Sequence, residues 1–109
     1  MEEIDWEEKV NKLRGELIYQ HIEGKVRWSV EASVKFFGLP SSRLRFWEEE
    51  FPFKVNKSMV RGDRYYTFSD MNLIIEIIRL LEVECYTIKG ARRQLIKNPL
   101  YSRQILKKP

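Results

Sequence analysis

The chain has 109 residues, the length of one compact domain, which is too short for a large multi-site enzyme architecture. Its composition, 43% hydrophobic and 33% charged, is that of a globular protein, and no apolar run approaches the roughly 18 residues that a membrane helix needs. The first nine residues, MEEIDWEEK, are acidic, whereas a signal peptide begins with basic and then apolar residues. We therefore expect a cytoplasmic protein.

The net charge of +4 is unevenly distributed along the chain. Residues 1–24 hold seven acidic and three basic residues, whereas residues 25–109 hold nine acidic and seventeen basic ones, a net charge of +8 for that part. A basic body that follows an acidic segment indicates a polyanionic partner for the body.

The sequence offers few residues for metal or catalytic chemistry. Cys85 is the single cysteine and His21 the single histidine, so an intramolecular disulfide is impossible and a Cys/His zinc site lacks ligands. No Gly-rich phosphate loop and no Ser-His-Asp arrangement appears. We expect no enzyme activity, no cofactor and no metal; Cys85 is expected to be a small buried hydrophobe, and no role is assigned to His21.

The first predicted element is an amphipathic helix over residues 4–22, which Gly24 can end. Two arrangements are open for it: folding back onto its own domain, or pairing with a second copy of the chain. Residues 25–28 are expected to form a short extended link. The apolar residues expected to face inward from the helix are Ile4, Val10, Leu13, Leu17 and Ile18.

Two short helices separated by a four-residue break come next. Ser29 is a suitable N-cap for a helix over residues 30–37, and Gly38 suits the left-handed position that ends it. Ser41 or Ser42 is expected to cap a second helix, and this helix, break, helix order is that of a helix-turn-helix. The second helix runs to about Glu50, with inward residues Leu44, Trp47 and Phe51.

A β-hairpin and two more helices complete the pattern. Residues 54–59 and 64–68 flank a turn around Gly62 and favour strands. A strongly apolar helix then opens at Ser69 and Asp70 and ends near residue 85. Thr87 is expected to cap a last helix that runs to about residue 97. One face of the last helix carries a basic row formed by Lys89, Arg93 and Lys97. Three interpretations are open for this row: a solvated face, a phosphate track, or a contact with the acidic first helix.

Three stretches, RLRFWEEEFPF, DRYYTFSD and LLEVECYTIKGARRQL, resemble in order and spacing the DNA-binding domain of the mercury-resistance-regulator (MerR) family. More narrowly, they are similar to the branch with LRYWE in the second helix and YTIKGAR at the last. The resemblance covers about residues 28–97 and implies a mainly α fold, a winged helix-turn-helix with a short β-hairpin wing, here with an added N-terminal helix. The predicted organisation is an acidic amphipathic helix over 1–24, the winged domain over 25–98 and a short basic tail over 99–109.

The resemblance also implies a function, which is sequence-specific binding of double-stranded DNA in transcriptional control. The second helix would enter the major groove and the wing would contact phosphates. The glutamates that end the second helix are then expected to face away from DNA, and for Arg45 a simple pair with Glu49 is the alternative to a DNA contact. The DNA-facing residues carried over by position are Ser29, Ser41, Ser42, Arg43, Arg45, Phe46, Lys57, Arg61, Arg64, Tyr65 and Tyr66.

The sequence departs from the family pattern at several positions. Arg43 stands where the family often has Thr, Phe46 where it has Tyr, and Cys85 where it often has Gly; the wing loses one cation. Only twelve residues follow Lys97, so we expect no long dimerisation helix and no small-molecule sensor domain in this chain. Two other functions therefore stay open. One is that of an excisionase-like architectural protein that bends DNA. The other is that of a protein-interaction module, which binds a different protein or a second copy of this chain as a homodimer.

Overall fold

The computed structural model describes residues 3–51, 53, 55–59 and 62–105. The described residues form a mainly helical fold with a small antiparallel sheet, which confirms the predicted winged helix-turn-helix with an added N-terminal helix. No helix among them is long and apolar enough to span a membrane. The elements in chain order are α1 (Trp6–Ile22), β1 (Trp28–Ser29), α2 (Val30–Phe37), α3 (Ser41–Glu50), β2 (Asn56–Lys57), β3 (Arg64–Tyr66), α4 (Phe68–Ile78), a π-helical segment (Arg79–Val83) and α5 (Ile88–Lys97).

The apolar helix α4 is the centre of the core. Its start is fixed by a capping box, in which Thr67 Oγ1 accepts from Asp70 N at 3.2 Å and Asp70 Oδ2 accepts from Thr67 N at 2.9 Å. The helix therefore begins at Phe68, slightly before the Ser69 and Asp70 start that we expected. Almost every following side chain is buried, namely Met71, Leu73, Ile74, Ile75, Glu76, Ile77 and Ile78.

Beyond Ile78 the chain widens into the π-helical segment Arg79–Val83 before it turns. The turn closes with a hydrogen bond from Tyr86 N to Leu80 O at 2.9 Å, and Cys85 adopts a left-handed φ of 58°. The Cys85 side chain is exposed, so the prediction that it is a buried hydrophobe is wrong. Cys85 lies in the tight reversal at the helix end, outside the packed core.

The N-terminal helix α1 folds back onto its own domain. Its inner face buries Val10, Leu13 and Leu17, and Arg14 pairs with Glu76 of α4 at 3.1 Å. The predicted inward positions of Ile4 and Ile18 are wrong, since these side chains are 56% and 50% exposed. Helix α1 also exposes the apolar side chains of Tyr19 and Ile22, and the link that follows it exposes Val26.

A three-stranded antiparallel sheet includes the hairpin, with strand order β1-β3-β2. The hairpin was predicted, and Gly62 at its turn has a φ of 71°, which favours glycine. Strand β1 was not predicted, because two residues are too few to show an alternating pattern. Its Trp28 lies opposite Tyr66 and ties the segment before α2 to the central strand of the wing.

The helix-turn-helix forms as predicted except at the start of α3. Ser29 Oγ accepts from Ala32 N at 3.0 Å, which confirms it as the N-cap of α2, and Gly38 takes the left-handed conformation with φ 68°. The N-cap of α3, however, is Pro40, and no side chain caps this helix. The prediction that Ser41 or Ser42 caps it is wrong because both serines already lie in its first turn. The three predicted inward residues, Leu44, Trp47 and Phe51, are buried.

The last helix and the segment after it close the core. Thr87 Oγ1 caps α5 by accepting from Gly90 N at 3.0 Å, as predicted, and Ala91 and Leu95 are buried. Residues 99–105, in the segment predicted as a short basic tail, pack against the domain. Tyr101 and Ile105 are buried, and Ile105 forms a β-bridge with Phe53.

Candidate nucleic-acid interface

Helix α3 has one face in the core and one face in solvent. With 3.6 residues per turn, the buried Leu44 and Trp47 define the inner face, and the outward face opposite carries Ser42, Phe46 and Glu49. Phe46 is 44% exposed although it is a large aromatic residue. The outward face of α3 is thus free along its length for a partner.

The start of α2, the start of α3 and the hairpin meet at a groove of about 580 Å³. Four of the predicted site residues lie in its wall together with Gly62 of the hairpin turn: Ser29 at the start of α2, Ser41 and Arg45 of α3, and Arg64 of β3. The sequence separates these residues by up to thirty-five positions, and the fold brings them together. The full lining is Ser29, Val30, Glu31, Ser41, Arg45, Gly62, Asp63 and Arg64.

Two helix starts open onto this groove. The first turn of a helix leaves backbone N–H groups without intrahelical acceptors and carries a partial positive charge. Ser29 satisfies one such group in α2, whereas α3 has no side-chain cap, so the amides of Ser41 and Ser42 remain available. Such helix starts bind phosphate groups readily.

The two arginines of α3 are exposed and carry uncompensated charge. Within the described part of the chain, neither Arg43 nor Arg45 forms an ion pair, so the alternative pairing of Arg45 with Glu49 is not formed. Helical geometry places the two arginines about 160° apart around the helix axis. Arg45 borders the groove beside the hairpin, and Arg43 lies on the opposite flank of the outward face.

Tyr66 and Arg64 of β3 are engaged by Glu48 of α3. The Tyr66 ring is fully buried, and its hydroxyl donates to Glu48 Oε2 at 2.5 Å, while the Arg64 guanidinium donates to Glu48 Oε1. Burial, and then the hydrogen bond to Glu48, raise the pKa of the Tyr66 hydroxyl, which stays protonated as the donor. The prediction that Tyr66 contacts DNA is therefore wrong, because its side chain has no exposed atom to offer. Arg64 stays at the groove, but its charge is compensated by Glu48.

The three glutamates at the end of α3 have three different environments. Glu48 faces the hairpin, and Glu50 faces α5, where Arg92 Nε donates to the Glu50 carbonyl at 3.0 Å and its guanidinium lies 3.7 Å from the Glu50 carboxylate. Glu49 is exposed and lies on the outward face. We expected all three glutamates to face away from a DNA partner. Glu49 departs from this expectation, because it lies on the outward face of α3.

Besides Arg64, the wing carries the predicted cation Lys57, and Arg27, which sequence reasoning missed, lies against the wing. Lys57 is exposed on β2. Arg27, in the segment before β1, lies with its guanidinium carbon 4.6 Å from the centre of the Tyr65 ring, a cation–π distance, and is itself exposed. Only the pairing of β1 with β3 brings Arg27 to the wing, and no sequence pattern announced that pairing. Arg61 lies outside the described residues.

The basic row of α5 and the single histidine do not line this groove. The row Lys89, Arg93 and Lys97 is exposed on α5 and borders none of the groove described above. His21 stacks on Phe68 with ring centres 4.1 Å apart at the end of α1. Among the described residues, no three His, Cys, Asp or Glu side chains converge as a metal site requires.

A protein-family comparison agrees with this architecture. The family model described as "MerR HTH family regulatory protein" matches residues 29–96, which begin at the N-cap of α2 and end within α5. Comparisons with curated proteins and with solved structures gave no significant match. The match covers more than half of the chain, and the chain therefore belongs to the MerR HTH family of DNA-binding regulatory proteins.

Proposed function

We propose that this protein binds double-stranded DNA in a sequence-specific way to control transcription, with α3 in the major groove and the hairpin wing on the phosphate backbone. The observation that carries the proposal is the shared groove in which Ser29, Ser41 and Arg45 meet the hairpin, beside an outward face of α3 that no other described part of the chain covers. An α-helix with such an exposed face fits the major groove of B-form DNA.

The residues at the helix starts are assigned to phosphates. The uncapped amides of Ser41 and Ser42, with their hydroxyls, and the start of α2 at Ser29 supply donors that position a protein on the backbone without reading sequence. Arg43, on the far flank of α3, is placed to contact a phosphate on the other side of the groove.

The residues on the outward side of α3 are assigned to base edges. Arg45 combines an uncompensated guanidinium with a position between the outward face and the wing, and arginine commonly donates two hydrogen bonds to guanine. Phe46 offers an exposed apolar ring beside Arg45. Apolar side chains of this kind contact the methyl group of thymine.

The wing is assigned to the neighbouring backbone through Lys57, Tyr65 and the newly found Arg27, which stacks on Tyr65. Arg61 stays a prediction for this set. Arg64 supports the wing by tying it to α3 through Glu48. The closer similarity to the LRYWE branch and the formation of a homodimer also belong to the proposal; no observation on the described residues favours DNA bending or a pure protein-interaction role over it.

The proposal is tested by fluorescence anisotropy on duplexes recovered by in vitro selection, with a random duplex beside them. Arg45→Gln is expected to weaken binding to the selected duplex by about 1–3 kcal/mol, more than it weakens binding to the random one. Arg43→Gln is expected to weaken both and to reduce the salt slope by about one unit.

Lys89→Gln, which removes the same charge from the exposed face of α5, is the matched control and is expected to change selected binding little. The proposal is wrong if Lys89→Gln costs as much as Arg45→Gln, or if selection enriches no sequence. Two symmetric half-sites among the selected duplexes would support the homodimer.

A further inference from the structure

A second groove, of about 490 Å³, lies between α1 and α2, away from the helix starts and the wing described above. Its volume falls within the range of about 300–1,000 Å³ that is usual for small-ligand sites. Its floor is apolar and is built from Leu13 of α1, Trp28 of β1 and Ala32 and Phe36 of α2. One wall of the groove is α1, which precedes the segment matched by the family model, and the other is α2.

The rim of this lysine groove is strongly basic. Four lysines surround the apolar floor, and one carboxylate, that of Glu16, lies among them. Glu16 is already engaged, because it accepts a hydrogen bond from Gln20 Nε2 at 3.0 Å. The lysines of the rim are Lys9, Lys12, Lys25 and Lys35.

The lysines are free to turn toward an occupant. Lys12 and Lys35 pair only with exposed glutamates one turn away on their own helices, at 3.0 and 4.0 Å, and such exposed pairs contribute little free energy. Lys25 Nζ lies 5.8 Å from the centre of the Trp28 ring, and Lys9 Nζ lies 4.9 Å from that of Trp6. Among the residues that the structure describes, neither ammonium group forms an ion pair with a carboxylate.

The polar atom of the floor is also satisfied. Trp28 is buried beneath the floor, and its indole N–H donates to Gln20 Oε1 at 2.8 Å, so the floor has no unmet hydrogen bond at this position. An apolar molecule covering this surface would lose no polar contact. A negative group at its edge would meet ammonium groups from both walls of the groove.

We propose that the lysine groove binds a small amphipathic anion, a carboxylate or sulfonate carried on a flat apolar body. The body lies on Ala32 and Phe36, above the buried Leu13 and Trp28, and the anionic group lies among the rim lysines. The charge of the rim selects the sign of the ligand: a cation with the same apolar body is repelled by the ammonium groups. This site does not depend on DNA binding, since none of the residues assigned to DNA lines it.

The test uses nuclear magnetic resonance titrations of the full chain with 2-naphthoate and with 2-naphthylmethylammonium, which share a ring system and differ in charge. Naphthoate is expected to shift the indole N–H signal of Trp28 and the amides of Ala32 and Phe36, with saturation in the millimolar range or below. The ammonium compound is expected to bind at least tenfold more weakly.

Two surface variants test the role of the rim. The double variant Lys25→Gln with Lys35→Gln is expected to weaken naphthoate binding about fivefold, because two exposed charge contacts are lost. The double variant Lys89→Gln with Lys97→Gln removes the same charge from α5 and is expected to leave binding unchanged. The proposal is overturned if wild-type protein shows no saturable shift at Trp28, if both naphthyl compounds bind equally, or if the α5 variant weakens binding as much as the rim variant.

Discussion

Glu48 and Glu49 are neighbours in the chain, yet their carboxylates lie in opposite surroundings. The 100° step of the helix turns Glu48 toward the hairpin, where it accepts from Arg64 and Tyr66, and turns Glu49 toward solvent. One glutamate therefore belongs to the structure that holds the wing. The other contributes an uncompensated negative charge to the face that we assign to DNA.

Glu48→Gln is expected to destabilise the protein. The change removes the charge that pairs with Arg64 and weakens the hydrogen bond from the buried Tyr66 hydroxyl, and hydrogen bonds to charged groups contribute about 1.5–3 kcal/mol. We expect the free energy of unfolding, measured by urea denaturation, to fall by about 2 kcal/mol. Glu49→Gln is the control for the same chemical change; if both variants unfold at the same urea concentration, the bracing role of Glu48 is wrong.

Glu49→Gln is expected to tighten DNA binding. Its carboxylate lies on the outward face of α3 and repels phosphates, so its neutralisation should raise affinity for a duplex roughly two- to fivefold at low salt. Anisotropy titrations at two salt concentrations measure this change, which should shrink as salt rises. Weaker binding by the variant would show instead that Glu49 accepts a hydrogen bond from the partner, and the charge argument would fail.

At the scale of elements, long periodic segments were predictable from the sequence. Very short strands, and contacts between residues that are distant in the sequence, were not. The spacing of apolar side chains predicts α4, and Gly38, a residue suited to positive φ, predicts the break between α2 and α3. Strand β1 has two residues and is defined only by its partner β3. The same holds for the site: Arg45 was predictable from its place on α3, whereas Arg27 reaches the wing only through that strand pairing.

The reversal after the π-helical segment offers a test of local strain. Cys85 has a φ of 58°, a conformation that costs a residue with a Cβ about 1–2 kcal/mol and costs glycine almost nothing. Cys85→Gly is therefore expected to raise the free energy of unfolding by about 1 kcal/mol. Thermal or urea unfolding checks this, with Cys85→Ser as the control that removes the thiol and keeps the Cβ.

If Cys85→Gly is no more stable than Cys85→Ser, then the left-handed turn is not strained by its Cβ. A gain shared by both variants would point to the thiol and not to the backbone. Cys85 borders neither the DNA-assigned groove nor the lysine groove, so both variants should leave binding at the two grooves unchanged.

At the scale of the whole molecule, the positive charge is not gathered on one side. Lysines surround the groove between α1 and α2, a basic row runs along α5, and arginines flank α3 beside the acidic Glu31 and Asp63. The charge asymmetry of the sequence predicted an anionic partner, but it could not locate the surface that would bind it. What singles out the α3 face is the meeting of two helix starts, the wing and unpaired guanidinium groups.

Helix α1 has two roles in the molecule. Its inner face closes the core of the winged domain, and its side toward α2 forms the lysine groove. The ligand site and the DNA-assigned face share the Trp28–Ser29 strand, because Trp28 lies in the floor of one and Ser29 in the wall of the other. The two surfaces are thus adjacent along the backbone but open to different partners.

The most direct measurement is amide chemical-shift mapping of the full chain during titration with a selected DNA duplex. The account predicts the largest changes at the starts of α2 and α3 and on the wing, at Ser29, Ser41, Ser42, Arg45, Phe46, Lys57 and Tyr65, with little change along α5. Large shifts at Lys89, Arg93 and Lys97 with the α3 amides unmoved would contradict it.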